Sequence, residues 1–352
     1  MNPSSSMLSS KDENILYWGL AFTGFWINVG LFFDGWAHAH GRVDDSFFTP
    51  YHAVMYSGLA AAMALVLFYI VKAVREGVSW RRALPWAYQL SFIGGILFFA
   101  GGVFDLLWHT LFGIEVNVEA LYSPPHLMLA IGGMLIGNAP FRAALKKREL
   151  LKLDFFKDFG ALLAFTGFMA TILFFTQIAH PIARLWGGIE IENGIPNPDW
   201  LFREMGVISI LLVIVILTAG MYLLISRWSL PIGVFTLYIG LTSVGMGFLY
   251  SMRPFAWPQV LAFISSGIAI DLLYRVLQPS LIRKHAFRQF MVVAPMILTT
   301  FYFISLFFTS GIWWSVHFWT GTIIVSGLTG LLMSYVFVLP EPSYESASRR
   351  RN

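Results

Sequence analysis

The sequence predicts an all-α polytopic membrane protein of about ten transmembrane helices arranged as repeated hairpins, and three observations predict it. Of the 352 residues, 57% are hydrophobic and 12% charged, which is more apolar surface than one soluble core can hide. Runs of about 20 apolar residues, the length that crosses a bilayer, recur along the chain. Basic residues cluster on alternate connections between those runs. Lipid offers an unpaired backbone group no partner, so each run reads as a helix, and the unbroken apolar character excludes a β-barrel.

In order, the spans read at about 14–35, 51–74, 86–112, 124–144, 158–180, 204–226, 229–250, 257–277, 289–311 and 314–338. The first thirteen residues, MNPSSSMLSSKDE, are polar with a single Lys. They lack the basic lead of a cleavable signal, so the first span is expected to remain as an anchor. With ten spans both termini share a side. Of 23 basic residues only Arg42, Arg184, Arg203 and Arg253 fall on the other side. The excess of Lys and Arg makes the terminal side cytoplasmic. This gives cytoplasmic tails at 1–13 and 341–352, a four-span unit at 14–145 and an additional six-span region at 146–340. The net charge of +4 follows from this topology, so no nucleic-acid partner is invoked. LKKRELLKLDFFK reads as a cytoplasmic anchor loop.

Seven of the eight histidines (His38, His40, His52, His109, His126, His180 and His317) fall on the extracytoplasmic side, and only His285 lies with the basic residues. In the first hairpin Asp34 and His38 are four apart, on one helical face. Thr49 reads as an N-cap and Pro50 as the first helical residue, which places His52 in the opening turn of the next span. The second hairpin repeats the construction with Asp105, His109 and, after Ser123-Pro124-Pro125, His126. A carboxylate in an apolar span is costly unless paired or bound to a cation. Two Asp-His-His sets therefore point to metal: Asp34, His38 and His52 in one, Asp105, His109 and His126 in the other. Two imidazoles and a carboxylate suit copper, zinc or iron. With no Cys in the chain, thiolate sites and iron–sulfur clusters are excluded.

DGWAH…DDSFFTPYH resembles the Asp-x-x-x-His…His signature found in a helical membrane subunit of the copper membrane monooxygenases, the particulate methane and ammonia monooxygenases. VFDLLWHTLFG…SPPHLMLAIGG stands where that family has a second site, with Asp105 at a position the family fills with Asn. The resemblance covers residues 14–145. It implies copper at both sites, an oxidoreductase using dioxygen on a small substrate, assembly with other monooxygenase-type subunits or with further copies of itself, and a prokaryotic inner membrane. The six spans after residue 145 have no counterpart in that family's subunit.

Two other functions compete: a non-enzymatic metal-binding or transport protein, and a b-type cytochrome. A transporter needs ligands along its path, and beyond Asp271 the cytoplasmic half offers almost none. Bis-His haem wants facing histidines without adjoining carboxylates. His40 lies off the Asp34 face and His317 sits in an aromatic belt with Trp313, Trp314 and Trp319, so both read as possible outer contacts of the metal set rather than ligands. Gln259 occupies the His position in a fainter copy of the repeat, AWPQVLAFISSGIA. His180 reads as an interface residue, Asp271 and Arg275 as a self-neutralising pair, and the loop 181–203 as a cap over the outer face.

Overall fold

A computed structural model describes residues 8–42, 49–113, 118–147, 152–188, 200–251 and 256–338. The 341–352 tail, Arg148, Arg253, Arg349 to Arg351 and loop residues 189–199 lie outside the described residues. Among those described the chain is helical, with two isolated β-bridges and no strand. In order the helices are α1 (Ser10–Ala39), α2 (Pro50–Arg75), α3 (Trp86–Phe112), α4 (Val118–Tyr122), α5 (Pro124–Gly137), α6 (Ala139–Lys146), α7 (Phe159–Phe175), α8 (Trp200–Ile225), α9 (Val234–Leu249), α10 (Ala256–Leu277), α11 (Lys284–Phe308) and α12 (Val316–Phe337). Seven of these, α1, α2, α3, α8, α10, α11 and α12, are long and apolar enough to cross a membrane. The pair α5–α6, bent by 45°, would be an eighth if it is one span, while α7 and α9 are shorter apolar helices of 17 and 16 residues.

Helix ends fall where local chemistry puts them. Ser9 caps α1 by accepting from the Asp12 amide, and Thr49 caps α2 by accepting from the His52 amide with Pro50 behind it. α3 stops at Gly113, whose φ of 84° only glycine adopts without strain. The span read as 124–144 is broken, with a 45° bend between α5 and α6. Pro140 has no N–H to offer the Ile136 carbonyl. The Ser91 hydroxyl approaches that carbonyl at 3.4 Å, while the Arg142 guanidinium donates to the carbonyls of Leu135 (2.8 Å) and Ala87 (3.0 Å). Arg142 is thus buried as a clamp on the bend.

Two buried apolar clusters divide the interior. One joins α1, α2, α3, α5 and α6 through residues such as Leu20, Val66, Phe98 and Ile136. The other runs from Phe141 through α7 to α11 and ends at Trp314. α7 sits between them with 13 of its 17 residues buried, as expected of a helix apolar on every side. It grips α1 at three levels: the Ala161 amide donates to Tyr17 Oη (2.7 Å), Thr171 Oγ1 donates to Asn28 Oδ1 (3.1 Å), and Phe174 packs edge-on to Phe32.

The reading of Asp271 and Arg275 as a pair is corrected. Asp271 is buried and accepts from the Phe235 and Thr236 amides (3.1 and 2.9 Å) and from Thr236 Oγ1 (2.6 Å), while Arg275 is exposed. The acid closes the first turn of α9, where four backbone donors lack helical partners. Asp271→Ala should cost about 1–3 kcal/mol by stranding buried donors, read as a lowered midpoint of thermal unfolding in detergent.

Candidate metal centre

Each triad is assembled by a pair of tightly packed helices, and glycine sets the spacing. In the first hairpin, a Cβ on Gly30 would lie 2.5 Å from the Met55 Cα, so the α1 and α2 backbones nearly touch there. In the second, a Cβ on Gly101 would lie 3.2 Å from the Leu129 amide nitrogen. Gly30 and Gly101 each stand four residues before the acid, and Met55 and Leu129 each stand three after the second histidine. The repeated element is therefore G-x-x-x-D-x-x-x-H followed by [TS]-P-x-H, with the glycine one turn below the carboxylate. Small residues let helices approach this closely in lipid. At the far end of the first hairpin Lys72 Nζ meets Asp12 Oδ2 at 2.8 Å and ties α2 to the start of α1.

The second triad is compact. His109 Nε2 and His126 Nε2 lie 3.3 and 3.2 Å from the same oxygen, Asp105 Oδ1. Asp105 is wholly buried, and the two imidazoles are its polar neighbours. Two atoms each about 2.0–2.1 Å from a common ion at a tetrahedral angle stand about 3.4 Å apart, so these separations match a shared cation. Among the described residues this is the triad whose three ligand atoms all fall within 4.8 Å of one another.

The other edge of each ring is also engaged. His126 Nδ1 contacts the Ala120 carbonyl and lies 3.0 Å from Ser123 Oγ, and His109 Nδ1 lies 3.3 Å from the Gly113 carbonyl. A carbonyl only accepts, so Nδ1 carries the proton and a neutral ring presents the Nε2 lone pair inward. Two lone pairs facing one carboxylate repel. Either both rings take a second proton or a cation sits among the three. Ser123 begins α5 without capping it in the manner of Thr49, and its hydroxyl is turned to His126 instead.

The first triad is looser. His52 Nε2 is 3.3 Å from Asp34 Oδ1, but His38 Nε2 is 3.9 Å from the other oxygen, Oδ2. The Asp34 side chain retains 17% of its exposure and His38 20%. Sequence spacing therefore brings all six residues into their two sets, while ligand-like convergence belongs to Asp105, His109 and His126.

A cavity of about 390 Å³ adjoins both triads, bordered by Asp34, His38, His52 and His126. Its walls are largely apolar, with Leu31, Phe98, Leu129 and Phe174 prominent, and Asn28 with Thr171 lie at its deeper end. Gln177, Arg184 and Tyr250 also border it. None of those three stands out as a site residue in the sequence, because α7, its following turn and α9 join the site only through tertiary packing.

The remaining histidines fall elsewhere. His40 Nδ1 contacts its own-helix Trp36 carbonyl at 2.7 Å, with the ring over the Trp36 indole. His317 is exposed on α12, which packs against α11 and α8, and His285 is exposed on α11. His180, expected at an interface, is buried beside Phe263, and its Nδ1 accepts from the Ile182 amide. An accepting ring nitrogen carries no proton, so His180 is a neutral packing residue. Of the loop 181–203, Ala183 and Arg184 meet the cavity.

Comparison with known proteins gives this geometry no named relative: no protein-family model, no curated protein and no solved structure matches the chain.

Proposed function

We propose that this chain is a metal-binding integral membrane protein, a monooxygenase-like oxidoreductase that uses copper and dioxygen on a small substrate admitted to the cavity. The observation that carries the metal reading is the wholly buried Asp105 carboxylate with two imidazole Nε2 atoms converging on one of its oxygens at 3.2 and 3.3 Å. Iron and zinc suit the same donors; copper is preferred on the resemblance of residues 14–145 to the copper membrane monooxygenases. The same reading takes ten spans with α7 and α9 included, both termini in the cytoplasm of a prokaryote, and the triads at the extracytoplasmic face of its inner membrane. Other monooxygenase-type subunits or a second copy would complete the assembly.

Bound copper would supply the activation of dioxygen. The chain supplies the rest. Asp105 lowers the charge of the site, the Ala120 and Gly113 carbonyls and Ser123 hold each imidazole in one tautomer, and the apolar walls keep water from the reacting centre. A transport role is less well supported, because Asp271, the acid that would extend a path through the six-span region, is spent on the α9 amides.

Metal analysis of the purified full-length protein tests this. Up to two copper ions per chain are expected, with one lost in His109→Ala and one in His38→Ala, and metal-dependent oxygen uptake with an added reductant. Protein that binds no copper, iron or zinc in any preparation ends the proposal; metal without oxygen uptake under any reductant leaves only the binding role.

A further inference from the structure

The cavity beside the triads has a chemical polarity that the metal ligands do not explain. Gln177 is 6% exposed and borders it. Its Oε1 accepts from the Tyr250 hydroxyl at 3.1 Å, which turns the amide Nε2 away from that bond. An amide NH₂ on a residue that borders a cavity can donate to an oxygen acceptor there. Arg184 borders the same cavity, rests its guanidinium over the Trp186 ring at 5.6 Å, and is paired with no carboxylate among the described residues. A fork of five N–H donors suits a carboxylate.

Between this donor pair and the Asn28–Thr171 end the lining is largely apolar apart from the triad side chains, and its depth fits one lipid chain. From His38 to Asn28, both bordering the cavity, α1 rises about 15 Å. Half of a hydrocarbon core about 30 Å thick, the reach of a single acyl chain, is about the same. The volume of about 390 Å³ lies at the lower end of the range for sites that enclose one ligand, about 300–1,000 Å³.

We propose that the cavity binds a single-chain amphiphile with a carboxylate head, of the fatty-acid class, its head on Gln177 Nε2 and Arg184 and its chain between α1, α3, α5 and α7. The bound chain lies against His38, His52 and His126, which makes such a molecule the substrate class of the oxidation proposed above, one oxygen atom entering a C–H bond and the other leaving as water with two electrons and two protons from an external two-electron reductant; that assignment rests on the metal reading, whereas the binding itself does not.

Dodecanoate is the probe, with dodecanol as its uncharged counterpart, titrated into full-length protein in phosphatidylcholine nanodiscs stripped of metal and again after copper loading. Saturable dodecanoate binding is expected in both states, at least tenfold tighter than dodecanol. Arg184→Ala and Gln177→Leu should each weaken dodecanoate at least tenfold while moving dodecanol little, and Arg184→Lys should recover part of the loss. Ala130→Phe, which fills the apolar wall, should abolish both. Arg184 is exposed, so its replacement leaves the fold intact. No saturable binding to metal-stripped protein, equal affinity for dodecanol, or an unchanged Arg184→Ala overturns the proposal. Dodecanoate binding without metal binding would retain the lipid site and end the oxidoreductase reading, and the reverse result would do the opposite.

Discussion

Asp105→Leu should melt no lower than the unchanged protein when metal is absent, and should lose the stabilisation that copper gives when metal is present. The carboxylate is wholly buried, and without metal its polar neighbours are two rings whose Nδ1 atoms already hold the proton. With neutral imidazoles and no metal, the carboxylate is itself the uncompensated buried charge, so removing it strands no other charge. The opposite deletion behaves differently. His109→Ala with His126→Ala leaves Asp105 charged and alone, at a cost of about 3–5 kcal/mol. Copper at 100 times its dissociation constant should raise the stability of the unchanged protein by about 2.7 kcal/mol and that of Asp105→Leu by much less. Thermal unfolding in detergent, with chelator and with copper, gives all the comparisons. An Asp105→Leu protein that melts well below the unchanged one under chelator would mean the acid is a structural lock. The cation would then have no reason to be there.

How much of this is legible in the sequence depends on how far each contact reaches along the chain. Asp34 with His38 and Asp105 with His109 are set by helical period, and Thr49-Pro50 and Ser123-Pro124-Pro125 mark helix starts that put His52 and His126 in a first turn. Those are local facts, and the helix starts at Pro50 and Pro124 fall where the pattern puts them. What local pattern does not carry is how the hairpins pack. Nothing in the spacing distinguishes the shared oxygen of Asp105 from the split contacts of Asp34. Gln177 and Arg184 reach the cavity through the fold of a turn after α7. Asp271 departs from its expected pairing for the same reason: a partner four residues away is visible in sequence, whereas the α9 amides, some 35 residues back, are not. Pro140 is readable as a break, but only the buried Arg142 and Ser91 show how the freed carbonyls are satisfied.

Gly30→Ala should remove one metal ion per chain and leave the other in place. In a helix interior alanine is favoured over glycine by about 1 kcal/mol, so without a close neighbour the change would help. Here the added Cβ falls 2.5 Å from the Met55 Cα and 2.6 Å from its amide nitrogen. Those are backbone atoms that no side-chain rotation can move aside, and α1 and α2 must part by about an ångström to reach ordinary contact distance. His52 lies one turn from Met55 and Asp34 one turn from Gly30, so the separation opens the gap between the carboxylate and the imidazole. A misplacement of about 1 Å is enough to cost a site most of its function, and the first triad begins loose at 3.3 and 3.9 Å. At least a tenfold fall in affinity is expected there. Gly101→Ala meets its neighbour at 3.2 Å, a shift of a few tenths of an ångström that the tighter second triad should absorb with its ion retained. Copper titration of each variant reads both sites at once, and the ion kept by the second triad reports that Gly30→Ala is folded. If Gly30→Ala binds two ions with unchanged affinity, close approach of the helices is not what builds the first site, and the matched glycines would be membrane packing alone.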